Sequence, residues 1–281
     1  MKEKNIHWFP GHMKKALNNI EKKVGLIDVV IEILDARAPV SSMNSFLEEK
    51  INHKPRLFLL SKSDLADPIE NEKWIAHFTG DNQKAIIGNL NDKAIISNIK
   101  KVLPELASKK REKEERRGMK PQAIKTMIIG IPNVGKSTLI NKIVLRQSAG
   151  VQNKPGFTKS DQWIRLDNDL ILLDTPGILP MNYENKENAS KLALIGSIRD
   201  DILPYDVLVE DLLNILKQHY PTALKERFGI EKITTPNEVV EAIAKRRGLL
   251  SSGKLDIEKA EKLILQEFKD GLLGRITLER I

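Results

Sequence analysis

The sequence predicts an α/β fold, a mostly parallel sheet with helices on both faces, followed by a small all-α domain in the C-terminal third. Three observations carry that prediction. Lys125–Gly130 is an apolar run of strand length that enters a loop, and beyond it apolar residues fall at Leu139, Ile140, Ile143 and Val144, the period of an amphipathic helix. Two more apolar runs, Pro55–Leu60 and Leu170–Leu173, each stop at a cluster of polar residues, as buried strands do where ligands gather at the ends of a parallel sheet. From Val207 to Tyr220 the apolar residues repeat with a helical period. At 281 residues two domains are expected, 1–180 and 185–281.

Along the chain, the strand at 55–60 is followed by a helical stretch, Asn71–Phe78, and by a short strand, Lys84–Gly88, that enters a polar loop. Ala94–Arg117 reads as one helix that ends in a run of mixed charge. In the C-terminal third, Thr235-Pro236-Asn237-Glu238 is a capping box with Pro at the first helical position, opening a helix through Arg247. Asp256 is placed to cap a last helix that reaches Lys269. Short helices of this kind bury their apolar faces only against one another, so a small bundle is expected.

Composition narrows the function classes. A hydrophobic content of 41% supplies a sizeable core, and the absence of Cys excludes a disulfide framework and thiolate chemistry. The charged N-terminus has no apolar segment behind it and no run is long enough to span a membrane, so a cytoplasmic protein with no membrane partner is expected. The net charge is +8, and the excess lies in residues 1–23 and 98–127, whereas 185–281 is balanced. Clusters of that sign suit phosphate backbones; a solvated helix face is the alternative for the mixed-sign connector. In the balanced C-terminal part the candidate for contact with nucleic acid is Lys245-Arg246-Arg247, with an ordinary basic helix end as the other reading.

The chemistry lies in the loops. Gly130-Ile131-Pro132-Asn133-Val134-Gly135-Lys136-Ser137 fits G-x-x-x-x-G-K-[ST] between a strand and a helix, so backbone N–H groups and the helix N-terminus converge on a di- or triphosphate. Asn133, Val134, Gly135, Lys136, Ser137 and Thr138 are the nucleotide-binding candidates, with Lys136 reaching the β and γ phosphates and the Ser137 hydroxyl on Mg²⁺. Pro155-Gly156-Phe157-Thr158 follows in a polar stretch and offers the Thr158 hydroxyl to the same metal. The strand at 170–173 ends in Asp174-Thr175-Pro176-Gly177, an acid for Mg²⁺ and a glycine N–H for the γ phosphate. Upstream, Ser61-Lys62-Ser63-Asp64 is a variant of the Asn-Lys-x-Asp guanine signature. The Asp64 carboxylate accepts from guanine N1–H and the 2-amino group together, a pair of donors adenine lacks, and the Lys62 stem lies along the base plane. Ser61 is shorter than the usual Asn, which leaves open whether it makes the usual side-chain bridge to the base and to the phosphate loop. Asn89, Leu90 and Asn91 occupy the place of a last guanine motif, although no Ser-Ala appears there.

A base-reading motif ahead of the phosphate loop reverses the usual order in a GTPase. The rotated order, together with His7-Trp8-Phe9-Pro10-Gly11-His12-Met13, resembles the circularly permuted GTPases of ribosome assembly. The resemblance covers 1–180 through these motifs and implies a circularly permuted P-loop GTPase domain. It also implies GTP and GDP with Mg²⁺ as ligands, and an expected monomer whose partners are the large ribosomal subunit precursor and its ribosomal RNA. No Gln follows Gly177 to orient the attacking water, since Ile178 and Leu179 stand there; the resemblance nominates His12 as the catalytic group. An Asn at position 133 further implies K⁺ in place of an arginine finger. Three functions stay open: a GTPase required for large-subunit maturation, a nucleotide-gated ribosome-binding protein whose turnover is incidental, and an ATP-using enzyme such as a kinase, which Asp64 and the lack of a separate acceptor-binding signature disfavour.

Overall fold

Strands separated by helices build a six-stranded sheet in the order β3-β2-β1-β4-β6-β5. The computed structural model of the chain describes residues 20–148, 163–165, 169–174, 186–198, 204–232 and 234–281. Its strands are β1 (Val29–Asp35), β2 (Arg56–Ser61), β3 (Gln83–Ile87), β4 (Ile124–Ile129), β5 (Trp163–Arg165) and β6 (Leu170–Asp174). All neighbours are parallel except β5 with β6. The halves β3-β2-β1 and β4-β6-β5 are each contiguous in sequence, and the β1–β4 ladder, from Val29 opposite Thr126 to Glu32 opposite Ile129, is the seam.

β1 is central and buried throughout, yet the sequence reading assigns no strand there. The reason is Glu32, which interrupts an otherwise apolar Val-Val-Ile-Glu-Ile-Leu run. Its charge is met by Arg56 at 3.2 Å, and Arg56 also binds Glu48 at 2.7 Å, so two strands and a helix share one ionic network that is buried at Glu32 and Arg56 and reaches solvent at Glu48. A buried carboxylate is tolerated only when paired in this way.

The helices flanking the sheet are α1 (Ser45–Ile51), α2 (Pro68–His77), α3 (Ile95–Leu106), α4 (Ser108–Arg116) and α5 (Lys136–Ser148). α2 starts at Pro68 because Asp67 caps it, accepting from Ile69 N at 2.9 Å. The single helix expected over 94–117 is two, broken at Ala107, where ψ is 10°. Pro104, inside α3, has no N–H to give and weakens the last turn before that break. α3 buries Ile95, Ile96, Ile99, Leu103 and Leu106 on one stripe, whereas α4 is charged on nearly every face.

The remaining helices are α6 (Lys186–Leu194), α7 (Tyr205–His219), α8 (Ala223–Phe228), α9 (Pro236–Arg246) and α10 (Ile257–Lys269). The capping box at Thr235 is formed, and Asp256 caps α10 by accepting from Lys259 N at 3.0 Å. One element departs from the all-helical expectation. Leu250–Ser251 (β7) and Lys254–Leu255 (β8) form a two-residue ribbon around Ser252 and Gly253, whose φ values of 50° and 77° are those of a tight hairpin turn. Runs that short carry no alternating pattern.

The bundle is joined to the sheet. Its buried residues, among them Leu212, Ile243 and Ile264, belong to the same apolar cluster as Ile31 and Ile128 on the sheet. Beyond α10 the tail lies against the sheet domain. Arg275 donates to Ser63 O and Ala66 O at 2.8 and 2.9 Å, Ile276 N to Leu65 O at 3.0 Å, and Leu278 N to Arg37 O at 2.7 Å. The Glu279 carboxylate accepts from Val40 N at 2.6 Å and Ser41 N at 3.0 Å, and the Trp74 indole donates to Glu279 O at 3.2 Å. No helix among the described residues is long and apolar enough to cross a membrane.

Candidate functional site

The site is built where the carboxyl ends of β1, β2 and β4 meet. β4 delivers the phosphate loop, and its backbone needs left-handed geometry at two points: Asn133, with φ 63°, and Gly135, with φ 101°. Asn is the side chain that most readily tolerates that region, while at Gly135 a side chain would also have to displace a packed neighbour. A Cβ there would lie 2.3 Å from Leu90 Cδ1. Gly130 packs with similar economy, since a Cβ would stand 3.0 Å from Ile33 O on β1.

Two contiguous cavities result. The larger, about 480 Å³, is lined by Ile131, Pro132, Asn133, Gly135, Lys136, Ser137 and Thr138. The smaller, about 230 Å³, is lined by Lys62, Asp64, Asn89, Leu90 and Asn91 together with Asn133, Val134, Gly135 and Thr138. Asn133, Gly135 and Thr138 border both. The structure thus brings the sequence-predicted residues at 61–64, 89–91 and 133–138 around one cleft, although they come from three separate stretches of chain.

Ser61 keeps the phosphate-loop half of the bridge that its length left open. Its buried Oγ lies 2.7 Å from Val134 O and 2.9 Å from Leu34 O, and its one proton serves one of those carbonyls at a time. The hydroxyl therefore keeps the tie from the base-reading strand to the phosphate loop. A second tie comes from α5, where the Lys142 ammonium donates to Leu90 O at 2.8 Å and Asp92 O at 2.6 Å. Asn89 Oδ1 accepts from Asn91 N at 2.8 Å, which closes the base-side loop on itself.

Lys62 sits in the left-handed region, φ 55°, and its Nζ lies 2.9 Å from Asp35 Oδ2 at the end of β1. Asp35 is wholly buried and also accepts from Arg37 through its backbone N at 3.0 Å, Nε at 3.0 Å and NH2 at 2.9 Å. Burial alone would raise the Asp35 pKa, but the Arg37 and Lys62 charges outweigh it and hold the group at about 2. The sign of the linkage follows. Ionised Asp35 stabilises the fold above its unfolded value near 3.8. That contribution, about 2 kcal/mol, is lost as pH falls through the folded value. Urea unfolding midpoints are expected to drop between about pH 4 and about pH 2 more steeply in the wild type than in Asp35→Asn; parallel declines would contradict it. Asp35 and Arg37 are functional neighbours that the sequence reading omits; the available signal was an Asp-Ala-Arg at the end of an apolar run.

Other candidates lie elsewhere or outside the described residues. His12, Thr158 and Gly177 fall outside them, and for Asp174 only the backbone is described, paired with Ile128 at the end of β6. Lys245, Arg246 and Arg247 are exposed at the end of α9 and do not reach the cleft. Arg246 donates to Phe228 O at 2.9 Å, and Arg247 meets Glu267 at 3.3 Å with its guanidinium 5.3 Å from the Phe228 ring, so two of the three also hold the bundle together.

The comparisons with known proteins agree with this geometry. Residues 125–227 match the family model described as 50S ribosome-binding GTPase. That match begins at β4, leaving 61–64 and 89–91 upstream, as the rotated order requires. The chain is 42% identical over 278 residues to Ribosome biogenesis GTPase A of Bacillus cereus, covering 98% of this chain and 93% of that protein. Two solved structures are also similar. GDP-bound YlqF superposes with a TM-score of 0.66 at 27% identity, covering 93% of this chain and 98% of that one. GNP-bound YlqF from T. maritima gives 0.64 at 28%, covering 95% and 98%.

Proposed function

The chain belongs to the ribosome biogenesis GTPase A family, and from that premise we propose that it acts in maturation of the large ribosomal subunit, binding ribosomal RNA of the subunit precursor in a nucleotide-dependent way. It is a GTP hydrolase that binds guanine nucleotides and serves ribosome biogenesis. The observation that supports the reading is the shared wall of the two cavities: Lys62 and Asp64 line one, Lys136 and Ser137 line the other, and one cleft has room for a base and its phosphates.

In this reading Asp64 accepts from the guanine edge, Lys62 and the 89–91 loop bracket the base, and the N–H groups of 133–138 bind the phosphates. Ser137, Thr158 and Asp174 would hold Mg²⁺, which neutralises charge on the phosphates when bound. The donor chemistry fits. Two hydroxyls and one carboxylate are hard oxygen donors of the kind Mg²⁺ takes beside phosphate oxygens. Asn133 is the residue through which K⁺ would act. His12 orients the attacking water, in keeping with the two apolar residues after Gly177. The domains are 1–180 for the nucleotide and 185–281 for the helical, RNA-contacting part, and the protein works as a cytoplasmic monomer.

Nucleotide dependence has a structural route. Asn133 Nδ2 donates to Gly196 O at 2.7 Å, so a phosphate-loop side chain already touches the turn after α6. Co-sedimentation with large-subunit precursors tests the proposal. Binding at least about tenfold tighter with a non-hydrolysable GTP analogue than with GDP is expected, a difference of about 1.4 kcal/mol. Equal binding in both states, or binding to small subunits alone, would overturn it.

A further inference from the structure

We propose that Asp35 is a positioning residue for guanine nucleotide binding: it holds the Lys62 ammonium through a carboxylate that it shares with Arg37, and Arg37 ties that carboxylate to the helical bundle, so base affinity depends on how the bundle is seated.

The geometry on both sides of Asp35 supports this. On the cleft side, Lys62 is fixed twice, by a left-handed backbone and by the 2.9 Å contact of Nζ with Asp35 Oδ2. A lysine stem that is to lie along a base loses less freedom on binding when its ammonium is already anchored. On the far side, Arg37 forks over Asp35 with Nε and NH2 and turns two further N–H groups toward the bundle. NH2 lies 3.3 Å from Ile195 O, just after α6, and NH1 lies 3.4 Å from Lys269 O, at the end of α10. The guanidinium also stands 5.6 Å from the Phe268 ring. Arg37 is 2% exposed, so these are fixed contacts in a place where solvent does not compete. The turn that receives Arg37 at Ile195 is the one that receives Asn133 at Gly196. Base side and phosphate side of the cleft are thus tied to adjacent residues of one turn.

The inference rests on Lys62 lying against guanine, and a double-mutant cycle separates the two claims. GDP affinity is measured by titration of the full-length chain as wild type, Asp35→Asn, Lys62→Ala and the double variant. Asp35→Asn is expected to weaken GDP about tenfold where Lys62 is present and less than about twofold where it is already alanine, as one charge-assisted hydrogen bond requires. Equal losses on both backgrounds would make Asp35 merely structural and overturn the proposal. Lys62→Ala with unchanged GDP affinity would instead remove the premise about the base. Arg37→Lys keeps the charge beside Asp35 and loses the fork, and it carries the test if Asp35→Asn does not fold. GDP affinity about fivefold lower is expected, with slowed hydrogen exchange at 195–198 on GDP binding in the wild type and none in the variant. Unchanged GDP affinity in Arg37→Lys, with 195–198 exchanging faster, would break the link to the bundle.

Discussion

Replacing Gly135 by alanine is expected to lower affinity for GDP and for GTP analogues by at least about a hundredfold. Two costs combine. An L-residue at φ 101° is strained, by about 1–2 kcal/mol, and the new methyl would meet Leu90 Cδ1 at 2.3 Å. Overpacking of that kind costs about 1–3 kcal/mol more unless something moves. Cδ1 is the free end of the Leu90 side chain, but at 6% exposure it has few open directions to turn into, and Lys142 keeps the backbone beneath it from retreating. Relief therefore comes from the phosphate loop or from the 89–91 loop, and either displacement opens the cleft where phosphates and base are bound together. Isothermal titration with GDP gives the affinity, and circular dichroism shows that the sheet is intact. A loss smaller than about threefold would mean the loop reaches its binding path by another route.

Asp64→Asn should give the second large effect, a change of base. Removing the charge and one acceptor takes away two charge-assisted bonds to guanine, worth about 1.5–3 kcal/mol each, so GDP affinity is expected to fall about a thousandfold. The variant amide offers one acceptor and one donor, which matches N1–H and the 2-carbonyl of xanthine. Xanthosine diphosphate should then bind at least about tenfold tighter than GDP, the reverse of the wild-type preference. Competition of both diphosphates against a fluorescent nucleotide reads the ratio directly. A variant that still prefers guanine would show that Asp64, although it lines the smaller cavity, does not face the base edge.

What the sequence made legible divides along a physical line. Gly130–Ser137 and Ser61–Asp64 were readable because the chemistry requires certain residue types at fixed local spacing, and the structure brings both to one cleft. Asn89 and Leu90 were found by position alone. Their identity carries little, since Leu90 works by filling the space above Gly135 and Asn89 by turning its own loop. Contacts between residues distant in the chain were not readable. Glu32 hid β1 because its partner Arg56 lies 24 residues on. The Arg37 relay depends on Ile195 and Lys269, 158 and 232 residues away, and no local pattern announces such partners. The break at Ala107 and the ribbon at 250–255 are small local features that a period averaged over a helix smooths away.

The tail that follows α10 also sets an order in time. Arg275 reaches back across 212 residues to Ser63, inside the base-reading motif, so the residues that pin that motif are synthesised long after it. Domains form as the nascent chain emerges, N-terminal parts first, and closing so long a loop comes late in any folding sequence. The half-sheet β3-β2-β1 brings Asp35 to Lys62 and can pair while the rest of the chain is still being translated, but the hold of Arg275 on Ser63 O and Ala66 O comes only when the tail docks. The last contacts made to the base-reading motif are therefore those of the tail, after the ladder between β1 and β2 that carries the motif has formed.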